Sequence, residues 1–280
     1  MDLGIYAYIT ELSLMFPEIT SPAAISALSK FEQSKTPKVW KQIDKKALVS
    51  QIRMRLENPF QIHQGKETFS GTAAIVFELA RQQPVRYVEI CRELYETGAI
   101  KGDTMVFRAS EKLRQSHPRL RMNPVEWMIL STMRESESRF FSSELDAPEV
   151  IRNVPGLTKS WEMKGWVKEL LGYKQIKYHN TLLYGELDAL QDAARAIADG
   201  GVAFGLITSQ GLFGTEQPFL PTPNHWVSII ENVSTEGGEW LEEDSIYITL
   251  DVYSWGKKLQ IKQDESMFED YFWGLVIGLR

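Results

Sequence analysis

Apolar residues along this 280-residue chain change period part-way. Up to Gly200-Gly201 they recur at helical spacing, and beyond that pair they fall into short alternating runs. Ser21-Pro22 supplies an N-cap and first-turn residue for one helix. Trp40, Ile43, Leu48, Ile52 and Leu56 stripe a second, which Asn58-Pro59 closes because a residue before proline is pushed out of the helical region. After an extended piece, Phe60 to Phe69, small residues followed by spaced apolar ones from Ser70 to Ala80 predict a tightly packed, buried helix. Pro84 opens the next, with Val88, Cys91, Leu94 and Tyr95 along one side. A helix at Pro124 to Met133 is expected to give way to a polar loop near Glu135 to Ser143. Trp161 to Leu171 and Glu186 to Asp199 are amphipathic helices. Four strands follow: Val202 to Thr208, His225 to Val233, Ser245 to Tyr253 and Phe272 to Leu279, with a turn at Gly237-Gly238. Helices first and a mostly antiparallel sheet afterwards make an α+β arrangement.

The net charge of -6 argues against nucleic acid as a partner, since phosphate binding needs a basic stripe. The densest basic run, Lys35 to Lys46, is interleaved with Trp40 and Ile43 and reads as the wet face of a helix. The single cysteine, Cys91, allows no internal disulfide, which fits a reducing compartment. A chain of this length buries about three quarters of its unfolded surface and needs no covalent or metal staple. No stretch approaches the roughly 18 apolar residues that span a bilayer. Met1 to Pro17 carries Asp2 and Glu11 and lacks a basic start, so no cleavable signal peptide is expected. The expected location is the cytosol, or outside the cell by a route that uses no such signal.

The four histidines, His63, His117, His179 and His225, are not spaced as local metal ligands, and no Cys-x-x-Cys exists. No glycine-rich phosphate cradle is present either, so no metal and no cofactor is expected. What remains is a constellation of Gln64, Ser70, His225 and Asp251. Ser70 stands where an extended segment enters a helix, near the positive end of its dipole and its free N–H groups. Gln64, on the segment leading in, could offer an amide to a developing oxyanion. His225 begins a strand, and Asp251 lies on a later one, a natural place from which to orient an imidazole. Each also has a plain structural role open to it. Ser70 could be an N-cap, His225 a strand-end residue, Asp251 the partner of a lysine, and Gln64 a surface amide. Cys91, among Val88, Leu94 and Tyr95, reads as a buried small hydrophobe rather than a nucleophile.

Gln64-Gly65-Lys66-Glu67-Thr68-Phe69-Ser70-Gly71-Thr72-Ala73-Ala74 resembles the active-site entry of papain-like cysteine peptidases, where a glutamine and a short spacer precede a cysteine that opens the central helix. Asn224-His225-Trp226-Val227 resembles that family's histidine strand, and Tyr253-Ser254-Trp255-Gly256 its Ser-Trp-Gly tail. The order of motifs between about 60 and 280, with a helix running into a Gly-hydrophobic strand before the histidine, is similar to the bacterial C39-like branch. The resemblance implies a helical lobe packed against a twisted antiparallel sheet over residues 59–280, with residues 1–58 as a helical extension. It implies acyl-enzyme chemistry at an amide of a protein or peptide substrate, with a nucleophile at position 70, His225 as base, Gln64 in the oxyanion hole and Asp251 as the third residue. Tyr253, two residues on, competes with Asp251 for that role by position. It also opens partners such as a cognate inhibitor or carrier protein, and a role as a delivered bacterial effector toxin. The departure is Ser70, where the family has cysteine, so the chain as written is expected to be inactive. A Cys→Ser replacement in an enzyme and a natural pseudoenzyme acting as a protein-binding module both fit.

Overall fold

The computed structural model describes residues 21–65, 67–117, 122–141, 154–181, 185–214, 218, 220–237 and 246–280. The stretch Met1 to Pro17 and the turn glycine Gly238 lie outside them. The described chain is α+β, as its change of apolar period predicts. Its first half comprises α1 (Pro22–Gln33), α2 (Lys45–Glu57), a 3-10 turn (Pro59–Gln61), α3 (Ser70–Gln82) and α4 (Pro84–Thr97). A small hairpin, β1 (Ala99–Lys101) and β2 (Val106–Arg108), then leads to α5 (Glu111–Gln115), α6 (Pro124–Phe140) and α7 (Ser160–Glu169). No helix among the described residues is long and apolar enough to cross a membrane.

Two expectations about the helices change. The basic run Lys35 to Lys46 is mostly connection, because α2 begins only at Lys45. Pro37 interrupts the earlier helical pattern, and Asp44 sets the start by accepting a hydrogen bond from the Ala47 N–H at 2.8 Å. Trp40 is fully buried in that connection, its indole N–H on the Leu94 carbonyl at 2.8 Å. Replacing Asp44 with alanine leaves that N–H without its cap and is expected to cost about 1 kcal/mol, read as a lowered denaturation midpoint at unchanged slope. The second change is at α6, which runs through Glu135 to Phe140 where a polar loop was expected. Two of its polar residues there are buried and paired: Ser136 Oγ donates to the Thr132 carbonyl, and Glu137 receives Thr158 and Trp166.

The second half builds a six-stranded antiparallel sheet from β3 (Gln175–His179), β4 (Val202–Ile207), β5 (His225–Gly237), β6 (Ile246–Ser254), β7 (Lys257–Asp264) and β8 (Phe272–Leu279), in the order β3-β8-β4-β5-β6-β7. Helices α8 (Glu186–Ala198), α9 (Ser209–Phe213) and α10 (Glu265–Tyr271) connect them. The four strands legible from alternation are the four central ones. The two that were not, β3 and β7, are the edges, where half-exposed polar residues blunt the apolar rhythm.

The sheet is buried on both faces. Trp226, Ile230 and Tyr253 join the core of α3, α4 and α6. Val227, Ile229, Leu250 and Val252 join a second core under α8 and α10. Ala24, Leu28, Phe31 and Leu48 belong to the first of these cores. Residues on the two sides of position 58 therefore share one continuous apolar interior.

Candidate active site

Helix α3 is buried along almost its whole length, and its first residue, Ser70, is 6% exposed. Ser70 does not act as an N-cap. Phe69 holds that position, with no side-chain cap. The Ser70 hydroxyl oxygen instead accepts the backbone N–H of Trp226 at 3.2 Å, across the interface from helix to sheet. A second link lies two turns on, where Ser228 Oγ donates to buried Glu78 at 2.5 Å. These bonds seat the start of α3 against the start of β5, so Ser70 bonds the backbone of the residue next to His225, while the Ser70 and His225 side chains are not hydrogen-bonded to each other.

His225 is buried, and its Nε2 lies 2.6 Å from Ser254 Oγ. Its ring stacks on Trp255, with centroids 4.4 Å apart and planes 25° from parallel. Phe213 also contacts that indole, tilted 60° from it with centroids 5.3 Å apart. Burial pushes the imidazole pKa down to about 3, so the ring is neutral near pH 7. Trp255 and Gly256 form the two-residue turn between Ser254 and Lys257, both at positive φ, 47° and 76°. Such a backbone costs a tryptophan about 1–3 kcal/mol. The indole's contacts with His225 and Phe213 oppose that cost and hold it over the imidazole.

Asp251 is not on the imidazole. Strand parity explains the correction. Trp226, Ser228 and Tyr253 face α3, whereas His225 shares the parity of Val227 and Ile229, on the other face. Ser254 has the parity of Val252 and Leu250, so it meets His225 as a diagonal cross-strand neighbour. Asp251 has the opposite parity. Its carboxylate accepts from Asn232 Nδ2 at 2.6 Å and Gln260 Nε2 at 3.1 Å, and pairs with Lys258 at 3.0 Å. Burial lowers the Lys258 pKa, but its bonds to Glu231 and Asp251 outweigh this and raise it overall. Tyr253 is also elsewhere: it stacks on Phe77 at 3.9 Å and donates to the Ile62 carbonyl at 2.7 Å.

Gln64 is buried on the approach to α3, and its side-chain N–H donates to the Glu67 carbonyl at 2.8 Å. That bond uses one of its two amide hydrogens and orients the other. His63 accepts the Gly65 N–H on Nδ1 and lines a cavity of about 400 Å³ bordered by Phe60, Met54 and Gly256. Cys91 is fully buried, and burial pushes its thiol well above the usual range. Among the described residues, no group of three or more acidic, histidine or cysteine side chains is placed to hold a metal ion.

Ser254 is the residue that the sequence pattern missed. It stands inside the Tyr253-Ser254-Trp255-Gly256 motif. The signal that identifies it is the two-residue turn at Trp255-Gly256, which fixes the register of β6. The chain matches no protein-family model and no curated protein.

Proposed function

We propose that Ser70, His225, Ser254 and Gln64 form a papain-like acyl-transfer site whose nucleophile position carries serine. The observation that carries this reading is the Trp226 N–H bond to Ser70 Oγ, which seats position 70 at a helix N-terminus beside the histidine strand. A thiol at that position has the local features that favour a thiolate: the helix N-terminus and an N–H donor. His225 is the base of this reading: with a proton on Nε2 donated to Ser254 Oγ its Nδ1 lone pair is free, and taking the thiol proton requires the ring, which starts on the sheet face away from α3, to turn toward position 70. The thiolate attacks an amide carbonyl, and the oxyanion is received by the backbone N–H at position 70 and the second Gln64 amide hydrogen. The imidazolium returns its proton to the leaving amine, and water hydrolyses the acyl-enzyme.

With serine the first step fails. A hydroxyl is far harder to ionise than a thiol, and the His225 ring is a weak base with no carboxylate on its second nitrogen. The same observations favour a second reading, in which the serine chain holds a peptide or protein without cutting it. A role as a delivered effector, or one docking a cognate inhibitor or carrier, belongs to either reading.

The test is turnover. The Ser70→Cys variant, assayed on denatured casein and a fluorogenic peptide library, is expected to cleave amides that the serine chain leaves intact. Adding His225→Ala should remove about 100-fold or more of that activity. A folded Ser70→Cys protein that cleaves nothing, beside a serine chain that retains peptides from the same library, overturns the enzyme reading in favour of the binding one.

A further inference from the structure

Thr158 joins three elements, α3, β5 and α6, near the start of α3. Its side chain packs on Gly71 so closely that a Cβ there would lie 2.6 Å from Thr158 Cβ. Its carbonyl accepts the Trp226 indole N–H at 2.8 Å. Its hydroxyl donates to Glu137 Oε1 at 2.9 Å. Trp226 and Gly71 are the chain neighbours of His225 and Ser70, so one residue touches the nucleophile helix and the histidine strand together. Nothing in the acyl-transfer chemistry itself uses Thr158 or Glu137.

We infer that Thr158, anchored by Glu137, is a positioning residue that holds the Trp226 N–H on the side chain at position 70. The inference rests on the acyl-transfer reading of that site. Its geometry is over-determined. The β-branched threonine has few rotamers, and the Glu137 bond selects one of them. That rotamer presents its methyl and hydroxyl faces to Gly71, which has no side chain to push back. The carbonyl is then set where the Trp226 indole can reach it, and the indole fixes the backbone whose N–H donates to Ser70 Oγ.

Glu137 is built to be an anchor. It is 2% exposed and receives Thr158 and Trp166 on one oxygen and Arg134 on the other. Glu162 faces it from α7, and Lys159 also contributes to its electrostatics. Burial, with Glu162 adding to it, pushes its pKa up to about 7 against the opposing pull of Arg134, Thr158 and Trp166.

The experiment follows the thiol rather than stability. In the Ser70→Cys background, iodoacetamide labelling at position 70 is measured against pH, with near-UV circular dichroism confirming the fold. Thr158→Val keeps the branched shape and deletes the hydroxyl. It is expected to raise the midpoint of the labelling profile by about half a pH unit or more, since a loosened N–H stabilises the thiolate less. Thr158→Ser, which keeps the hydroxyl, should restore the parent midpoint. Should Thr158→Val fail to fold, Glu137→Leu, which offers the Thr158 hydroxyl no acceptor, carries the same expectation of a raised midpoint. A folded variant with lowered melting temperature but an unmoved midpoint overturns the inference and leaves the site reading standing. A Ser70→Cys parent that labels no faster than Cys91 overturns both.

Discussion

The Ser70→Cys variant is expected to react with iodoacetamide at position 70 about 100-fold or more faster than at Cys91 near pH 7. The two positions differ in every term that sets thiol reactivity. Cys91 is fully buried on α4, with Tyr87 beside it, and its pKa is driven up by loss of solvent. Thiolate there is negligible at neutral pH. Position 70 has the helix N-terminus and the Trp226 N–H, both of which favour the anion, and on the proposed acyl-transfer reading the neutral His225 is its proton acceptor. Transfer of the thiol proton to the imidazole also stabilises the charged ring, which burial alone disfavours. The labelling profile should therefore have its midpoint below the value of about 8.5 of a free thiol. Adding His225→Ala should move it back up. Peptide mapping by mass spectrometry reads both sites in one sample. Labelling that appears only on unfolding, or a midpoint at the free-thiol value, would count against an activated position.

How much of this was legible follows from what each signal encodes. The buried helix at Ser70 was visible because small residues and spaced apolar ones need no partner to be recognised. The central strands were visible because both their faces are buried, while β3 and β7 were not, because an edge strand shows water one side of its ladder. The site was legible as a set of elements and less so as a set of contacts. Motif order picks out His225 and Ser70 as candidates, whereas chemistry alone favours Asp251 over its neighbours, since a carboxylate suits an imidazole. Which face it occupies depends on cross-strand register, with a shift between Ile229 and Glu231 that no single-strand pattern carries. Asn232, at φ 55°, lies in that irregular stretch and spends its amide on Asp251. Thr158 and Glu137 carried no motif at all. Their significance arises from the closeness of Gly71 and from an indole reaching across from another strand.

Asp251 and Ser254 are expected to separate cleanly into stability and turnover. Asp251→Ala removes a carboxylate that is 1% exposed and leaves Asn232, Gln260 and Lys258 without the acceptor they converge on. Breaking such a buried pair from one side costs about 3–5 kcal/mol, and Glu231, which still holds Lys258, should keep the loss near the lower end. Chemical denaturation of the serine chain measures it. Asp251→Asn should lose less, because it still offers one acceptor oxygen. Ser254→Ala removes a single hydroxyl from a position beneath Trp255 and should cost only about 1 kcal/mol. Its effect belongs to turnover in the Ser70→Cys background. Without the Ser254 hydroxyl, nothing among the described side chains hydrogen-bonds the imidazole, and the ring is held by stacking on Trp255 alone. A neutral orienting group contributes less than a buried carboxylate, so a loss of about 10–100-fold in turnover is expected, with substrate binding little changed. Under the same conditions, a folded Asp251→Ala enzyme should retain most of its turnover per active molecule. The reverse outcome, with turnover kept in Ser254→Ala and lost in a stably folded Asp251→Ala protein, would return the third role to the carboxylate. It would also require β6 to shift its register in the working enzyme, since the present parity points the two side chains to opposite faces of the sheet.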